Sequence, residues 1–107
     1  MTKVRLVEFK FKDKAKNIWL DWSKELQKRE AEVLATLKNE GVVSESCFLS
    51  SDGKSAFYFM EADDFELVKK AVETNPYPID LEHKIARQSS LVKVDELECL
   101  FHFENRN

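Results

Sequence analysis

The stretch VVSESCFLSSDGKSAFYFMEA, residues 42–62, decides the fold. Two apolar, aromatic-rich runs flank Asp52-Gly53. An Asp-Gly pair between such runs signals a hairpin, because the tight turn needs residues that tolerate positive φ. The pattern predicts strands over 42–51 and 54–62. In the second, Phe57 and Phe59 share one face, while Ala56, Tyr58 and Met60 share the other.

Outward from the hairpin, residues 3–11 read as another strand. Val4 and Leu6 lie on one face; Val7, Phe9 and Phe11 lie on the other, so both faces need cover. Asp13 then opens a long helix that runs to about Asn39. Ala15, Ile18, Trp22, Leu26, Val33 and Leu37 form its apolar stripe, widened by Trp19 and Leu34. Gly41 suits a left-handed helix cap. On the other side, Asp63 with Glu66 resembles a capping box for a second helix carrying Phe65, Val68, Ala71 and Val72. Asn75-Pro76 ends that helix, since proline keeps its predecessor out of the helical region. Asp80 can cap a third helix to about Ser90, with Leu81 and Ile85 as contacts. Residues 96–103 alternate, with Leu97, Cys99, Phe101 and Phe103 facing one way, and read as the last strand.

The order β-α-β-β-α-(α)-β is the split β-α-β, or ferredoxin-like, pattern of an α+β fold. It predicts a four-stranded antiparallel sheet with helices on one face, in a single domain over residues 1–107. The second face is too apolar to stand in water, and a homodimer through that face is the simplest cover.

A net charge of −3 lacks the basic stripe of a nucleic-acid binder. Phe9, Phe11, Phe57 and Phe59 mimic the stacking residues of an RNA-recognition module, but the basic, glycine-bearing third-strand motif is missing. The N-terminus has no apolar core of a signal peptide, and no run is long enough to span a bilayer. A cytoplasmic, membrane-free setting is therefore expected. Cys47 and Cys99 make no disulfide framework and read as reduced core cysteines. No phosphate loop, zinc spacing or nucleophile elbow occurs, so no cofactor is expected. A haem site through His83 or His102 would rest on fold analogy alone.

Several segments together resemble the dimeric α/β-barrel superfamily, and within it an uncharacterised bacterial family described as a domain of unknown function. They are Arg29-Glu30, residues 45–49 (ESCFL), residues 58–60 (YFM), residues 78–83 (PIDLEH) and residues 98–102 (ECLFH). The resemblance covers nearly the whole chain. It implies a ferredoxin-like fold and a dimeric barrel, and no particular activity.

The candidate site residues are polar groups in apolar settings. At about 100° per residue, Arg29 and Glu30 project into the apolar stripe. Either they form an internal ion pair, or their stems pack while their heads reach water, or Arg29 faces a cavity and binds a carboxylate or polyhydroxylated ligand with its planar fork. His83, flanked by Asp80 and Arg87 at helical spacing, is either a surface histidine or a general acid/base. Tyr58 is either core packing or a hydrogen-bond donor lining a cavity. Glu8 and Glu45 sit in otherwise apolar strands. With apolar walls from Trp22 and Phe48, these groups have the composition of a small-molecule site. The sequence thus supports a barrel that binds a small polar or anionic metabolite, with cofactor-independent acid/base chemistry at His83 and Tyr58. The alternative is a non-catalytic interaction or regulatory domain whose sheet face serves only association.

Overall fold

A computed structural model of the chain describes residues 2–74 and 77–106. The elements are β1 (Lys3–Phe11), α1 (Lys16–Lys28), α2 (Glu30–Glu40), β2 (Val42–Leu49), β3 (Ser55–Ala62), α3 (Phe65–Glu73), α4 (Pro78–Ser90) and β4 (Leu91–Leu97). The fold is α+β. Its four strands form one antiparallel sheet in the order β2-β3-β1-β4.

The hairpin forms where the Asp-Gly pair predicts it. Gly53 takes φ +73, its N–H donates to the Ser50 carbonyl at 2.9 Å, and Asp52 accepts from the Ser50 hydroxyl and the Lys54 N–H. Gly41 closes α2 with φ +78, as its position after the helix suggests. Register then sorts the side chains. Val7 faces Tyr58, Phe9 faces Ala56, and Tyr58 faces Cys47, all on the helix-covered side. Phe9, Trp19, Ala56, Ala86 and Leu91 make one buried cluster; Val42, Ala62 and Val68 make a second. Glu8, Phe57, Phe59 and Glu61 lie on the opposite face, as the period of two requires.

Four expectations need correction. The long helix is two helices, broken at Arg29, whose φ of −116 and ψ of 38 leave the helical region. In a continuous helix the guanidinium would enter the apolar interior. The break lets it reach Glu32 and Glu82 at the surface instead. Arg29 and Glu30 therefore do not pair, and Glu30 is exposed at the start of α2. Trp19, 2% exposed, is the anchor of α1, while Ile18 points outward.

The last strand is 91–97 rather than 96–103. Both segments alternate, and periodicity alone cannot say which one pairs. Leu91 follows α4 directly and faces Phe11, and pairing ends with Leu97 against Leu6. Residues 98–106 then leave the sheet edge. Asp64, not Asp63, caps α3, accepting from the N–H groups of Glu66 and Leu67. Asp80 lies inside the first turn of α4 rather than at its cap, and Tyr77 precedes the helix. The expected helix end at Asn75-Pro76 lies outside the described residues.

Candidate functional site

Tyr58 stands mid-way along β3, on the helix-covered face. Above it, α1 contributes Trp19 and Trp22 and α4 contributes His83. The Trp22 indole N–H donates to His83 Nδ1 at 2.9 Å, and His83 Nε2 lies 3.1 Å from the Tyr58 hydroxyl. Trp19 and Tyr58 pack against the imidazole, with ring centroids 5.6 and 6.0 Å away. Burial, helped by Arg87, pushes the His83 pKa down to about 4, so the ring is neutral at pH 7.

A neutral imidazole has one donor and one acceptor nitrogen, and an indole N–H can only donate. Nδ1 is therefore the acceptor and Nε2 carries the proton. Nε2–H then donates to the Tyr58 oxygen. The phenolic proton is left to point away from His83. Three side chains from three elements thus fix the direction of one hydrogen-bond donor.

That donor adjoins a cleft of about 660 Å³ between β2–β3 and the α1–α2 elbow. Its walls include Phe11, Trp19, Leu26 and Val33; Tyr58, Cys47 and Glu45 bring polar atoms. Cys47 sits directly opposite Tyr58 in the ladder, and Glu45 follows two residues along the same face. Such diagonal neighbours have Cβ atoms roughly 7 Å apart, so the Tyr58 and Glu45 side chains reach the same stretch of the cleft wall. Burial raises the Glu45 pKa to about 7, with further upward pushes from the charges of Glu40 and Asp80. The Cys47 residue is exposed, yet loss of water around its sulfur at the cleft wall pushes the thiol pKa up, against a lowering hydrogen bond with Trp19, so it stays protonated.

The structure brings Tyr58, His83 and Trp22 into one hydrogen-bonded chain and sets Glu45 on the same cleft; Phe48 borders it but pairs with Phe57 on the opposite face of the sheet. It does not bring all the sequence candidates together. Glu8 lies on the opposite sheet face, accepting from the Ser55 hydroxyl at 3.0 Å with Lys10 3.5 Å away. Arg29 spends its guanidinium on Glu32 and Glu82.

Cys47 and Cys99 are exposed free thiols, not core cysteines. Cys47 is a cleft residue that the sequence reading missed, although alternation with Glu45 along β2 carried the signal. Trp19 as a cleft wall was signalled only by its place beside the apolar stripe. Asp80 was read as a helix cap. Its carboxyl instead contacts the buried Thr36 hydroxyl, which also lies 3.0 Å from Glu40 Oε1. No sequence signal pairs residues 36 and 80.

A second polar cluster occupies the far face. Glu61, buried under the C-terminal segment, accepts from Thr2, Ser44 and Arg106, with His102 4.0 Å away. These donors hold its pKa near 2. Glu61, His102 and Glu104 lie close enough together to be weighed as a cation site. Thr2, Ser44 and Arg106 already engage Glu61, and the Thr2 hydroxyl and N–H engage Glu104, so the arrangement works as an internal latch. Among the described residues no helix is long and apolar enough to cross a membrane.

The family described as a family of unknown function, DUF6176, matches residues 2–107, and the chain belongs to it. No curated protein matches the chain.

Proposed function

We propose that the helix-side cleft binds a small, uncharged carbonyl compound with an apolar body and transfers a proton at the carbon beside the carbonyl, without a cofactor. The observation that carries this reading is the Trp22–His83–Tyr58 chain, which leaves the phenolic proton free to bond an oxygen in the cleft. Glu45 supplies the base. Its pKa of about 7 lets it both take and return a proton near neutrality. In the forward step the C–H electron pair moves into the carbonyl as Glu45 takes the proton. Tyr58 donates a hydrogen bond to the enolate oxygen, and the same proton or a solvent proton then returns to carbon. His83 and Tyr58 were the acid/base candidates of the sequence; here His83 orients Tyr58, and Glu45 moves the proton.

The lining favours a polar, uncharged ligand over an anionic one. Glu30 and Glu45 are its charged members, and Arg29 is engaged outside it. Trp22 supports the site through His83, and Phe48 adds to the rim. Glu8 would serve only the opposite face.

The test uses 4-phenylbutan-2-one as a probe and reads exchange of its α-protons for deuterium by NMR. Wild-type protein accelerates the exchange at neutral pH, and Glu45→Gln removes the acceleration. Equal rates with wild-type protein, Glu45→Gln and buffer would overturn the reading.

The strand order and antiparallel pairing support a ferredoxin-like arrangement, and Phe57 and Phe59 on the face away from the helices support a homodimer of barrel type. Leu100, Phe101 and Phe103 on the C-terminal segment are 89%, 68% and 87% exposed, which favours an association role for that face as a second reading. A solution mass of about 25 kDa, twice the 12.5 kDa chain, is expected; a 12.5 kDa mass would contradict it.

A further inference from the structure

The cleft wall contains a helix break with neither glycine nor proline to cause it. The Arg29 N–H reaches back to the Leu26 carbonyl at 3.0 Å, and the Val33 N–H takes the Arg29 carbonyl at 3.1 Å. These bonds join Arg29 to both helices, and its side chain ties the junction to a third element. Its Nε and Nη2 meet the two Glu32 carboxylate oxygens at 2.6 and 3.0 Å. Its Nη1 and Nη2 meet the two Glu82 oxygens at 3.0 and 2.7 Å. Glu32 lies on α2, while Glu82 lies on α4 and directly precedes His83. The Arg29 Cζ is also 5.9 Å from the centroid of the Trp22 ring, the same indole that donates to His83.

We infer that Arg29 is a positioning residue: its two forked ion pairs pin the α1–α2 elbow to α4 and, with the Trp22 ring, hold His83 in the orientation that turns the Tyr58 proton into the cleft. The catalytic consequence rests on the proposed function; the positioning itself rests on the distances alone. Only a planar guanidinium offers two carboxylate-matching edges at once, whereas a lysine ammonium is a point charge. Exposed ion pairs contribute little to global stability. The expected effect of breaking this one is therefore a local change at His83 rather than unfolding.

The groups facing His83 define the readout. Arg87 and Glu82 share its helix, Tyr58 approaches from β3, Trp19 and Trp22 from α1, and Arg29 with Glu32 lie beyond Trp22 at the elbow. The experiment is a ligand-free pH titration of the two ring nitrogens of His83 by 15N NMR. It compares wild type, Arg29→Lys and Glu82→Gln, with Trp22→Phe as the control that removes the donor. Wild type shows the single Nε2–H form and a midpoint of about 4. Arg29→Lys and Glu82→Gln, with melting temperatures near wild type, show a mixture of the two neutral forms.

Wild-type spectra in both variants would overturn the inference. So would a mixture in Trp22→Phe alone, which would leave the indole bond as the sole determinant. The probe-exchange assay fails or succeeds independently. A His83 change in Arg29→Lys without any ketone exchange in wild type would keep the positioning role and remove the proposed reaction.

Discussion

Replacing Glu45 by Gln should give stability a pH dependence between pH 4.5 and 6.5 that the wild type lacks. Glu45 has its pKa raised from 4.5 to about 7 in the folded chain. The folded state then holds a proton that the unfolded state gives up, so this contribution is full below pH 4.5 and is lost as pH rises through 7. His83 works the opposite way. Its pKa falls from 6.5 to about 4, so the unfolded chain takes a proton that the folded chain refuses, and stability is lost as pH falls from 6.5 to 4. Each pH unit of displacement corresponds to about 1.4 kcal/mol. Partial exposure of both groups trims the full displacement to about 2–3 kcal/mol each.

The two slopes oppose one another between pH 4.5 and 6.5, so wild-type stability is nearly flat there. Glu45→Gln unmasks the His83 slope: stability falls by about 2 kcal/mol on acidification from pH 6.5 to 4.5. It also makes the variant more stable than wild type by about 2–3 kcal/mol at pH 8, where wild-type Glu45 must be ionised in the folded state. Glu61, Glu82, Glu96 and Glu104 have lowered pKa values and act mainly below this window. Urea unfolding at fixed protein concentration, followed through Trp19 and Trp22 fluorescence, reads the effect at each pH. A Glu45→Gln curve parallel to wild type at every pH would refute the reasoning.

Other substitutions probe the parts separately. His83→Gln removes the opposing slope, so its stability should fall on raising pH from 4.5 to 7; a flat profile by the same urea method would contradict the placement of Glu45. Tyr58→Phe leaves the His83 Nε2–H without its acceptor and should cost about 1–2 kcal/mol, measured by urea midpoint at pH 7. Trp19→Ala empties the centre of the main core and should cost about 3–5 kcal/mol, or prevent folding, as read by circular dichroism. Asp64→Ala removes the α3 cap and should cost about 1 kcal/mol, a change that Asp63→Ala should not reproduce.

Much of this architecture was legible in the sequence because its signals are local. The Asp52-Gly53 turn, the alternation in residues 3–11 and the glycine at 41 each state their structure within a few residues. The break at Arg29 was not legible, since it depends on Glu82, which lies 53 positions away and becomes a partner only after α4 docks. The last strand was misplaced because the clean alternation of residues 96–103 outweighs that of 91–97, whose apolar positions change phase between Val94 and Leu97 where the pairing with β1 shifts register.

The site divides in the same way. Tyr58, His83 and Glu45 stood out as polar groups in apolar runs. Their partnership with Trp22 crosses three elements, and no spacing rule joins residues 22, 58 and 83. Glu8 stood out for the same reason as Glu45, yet the two-residue period of β1 puts it on the other face.

The central claim is that the Tyr58 proton is presented to an occupant of the cleft. Its most direct test is a 15N–1H NMR titration of 4-phenylbutan-2-one into wild type and Tyr58→Phe, following Cys47, Ser23 and the Trp19 indole. The account predicts shifts at these three positions in wild type and at least about tenfold weaker binding in Tyr58→Phe, the discrimination expected when one buried hydrogen bond is lost. Unshifted cleft signals in wild type, or equal affinity in the two proteins, would contradict it.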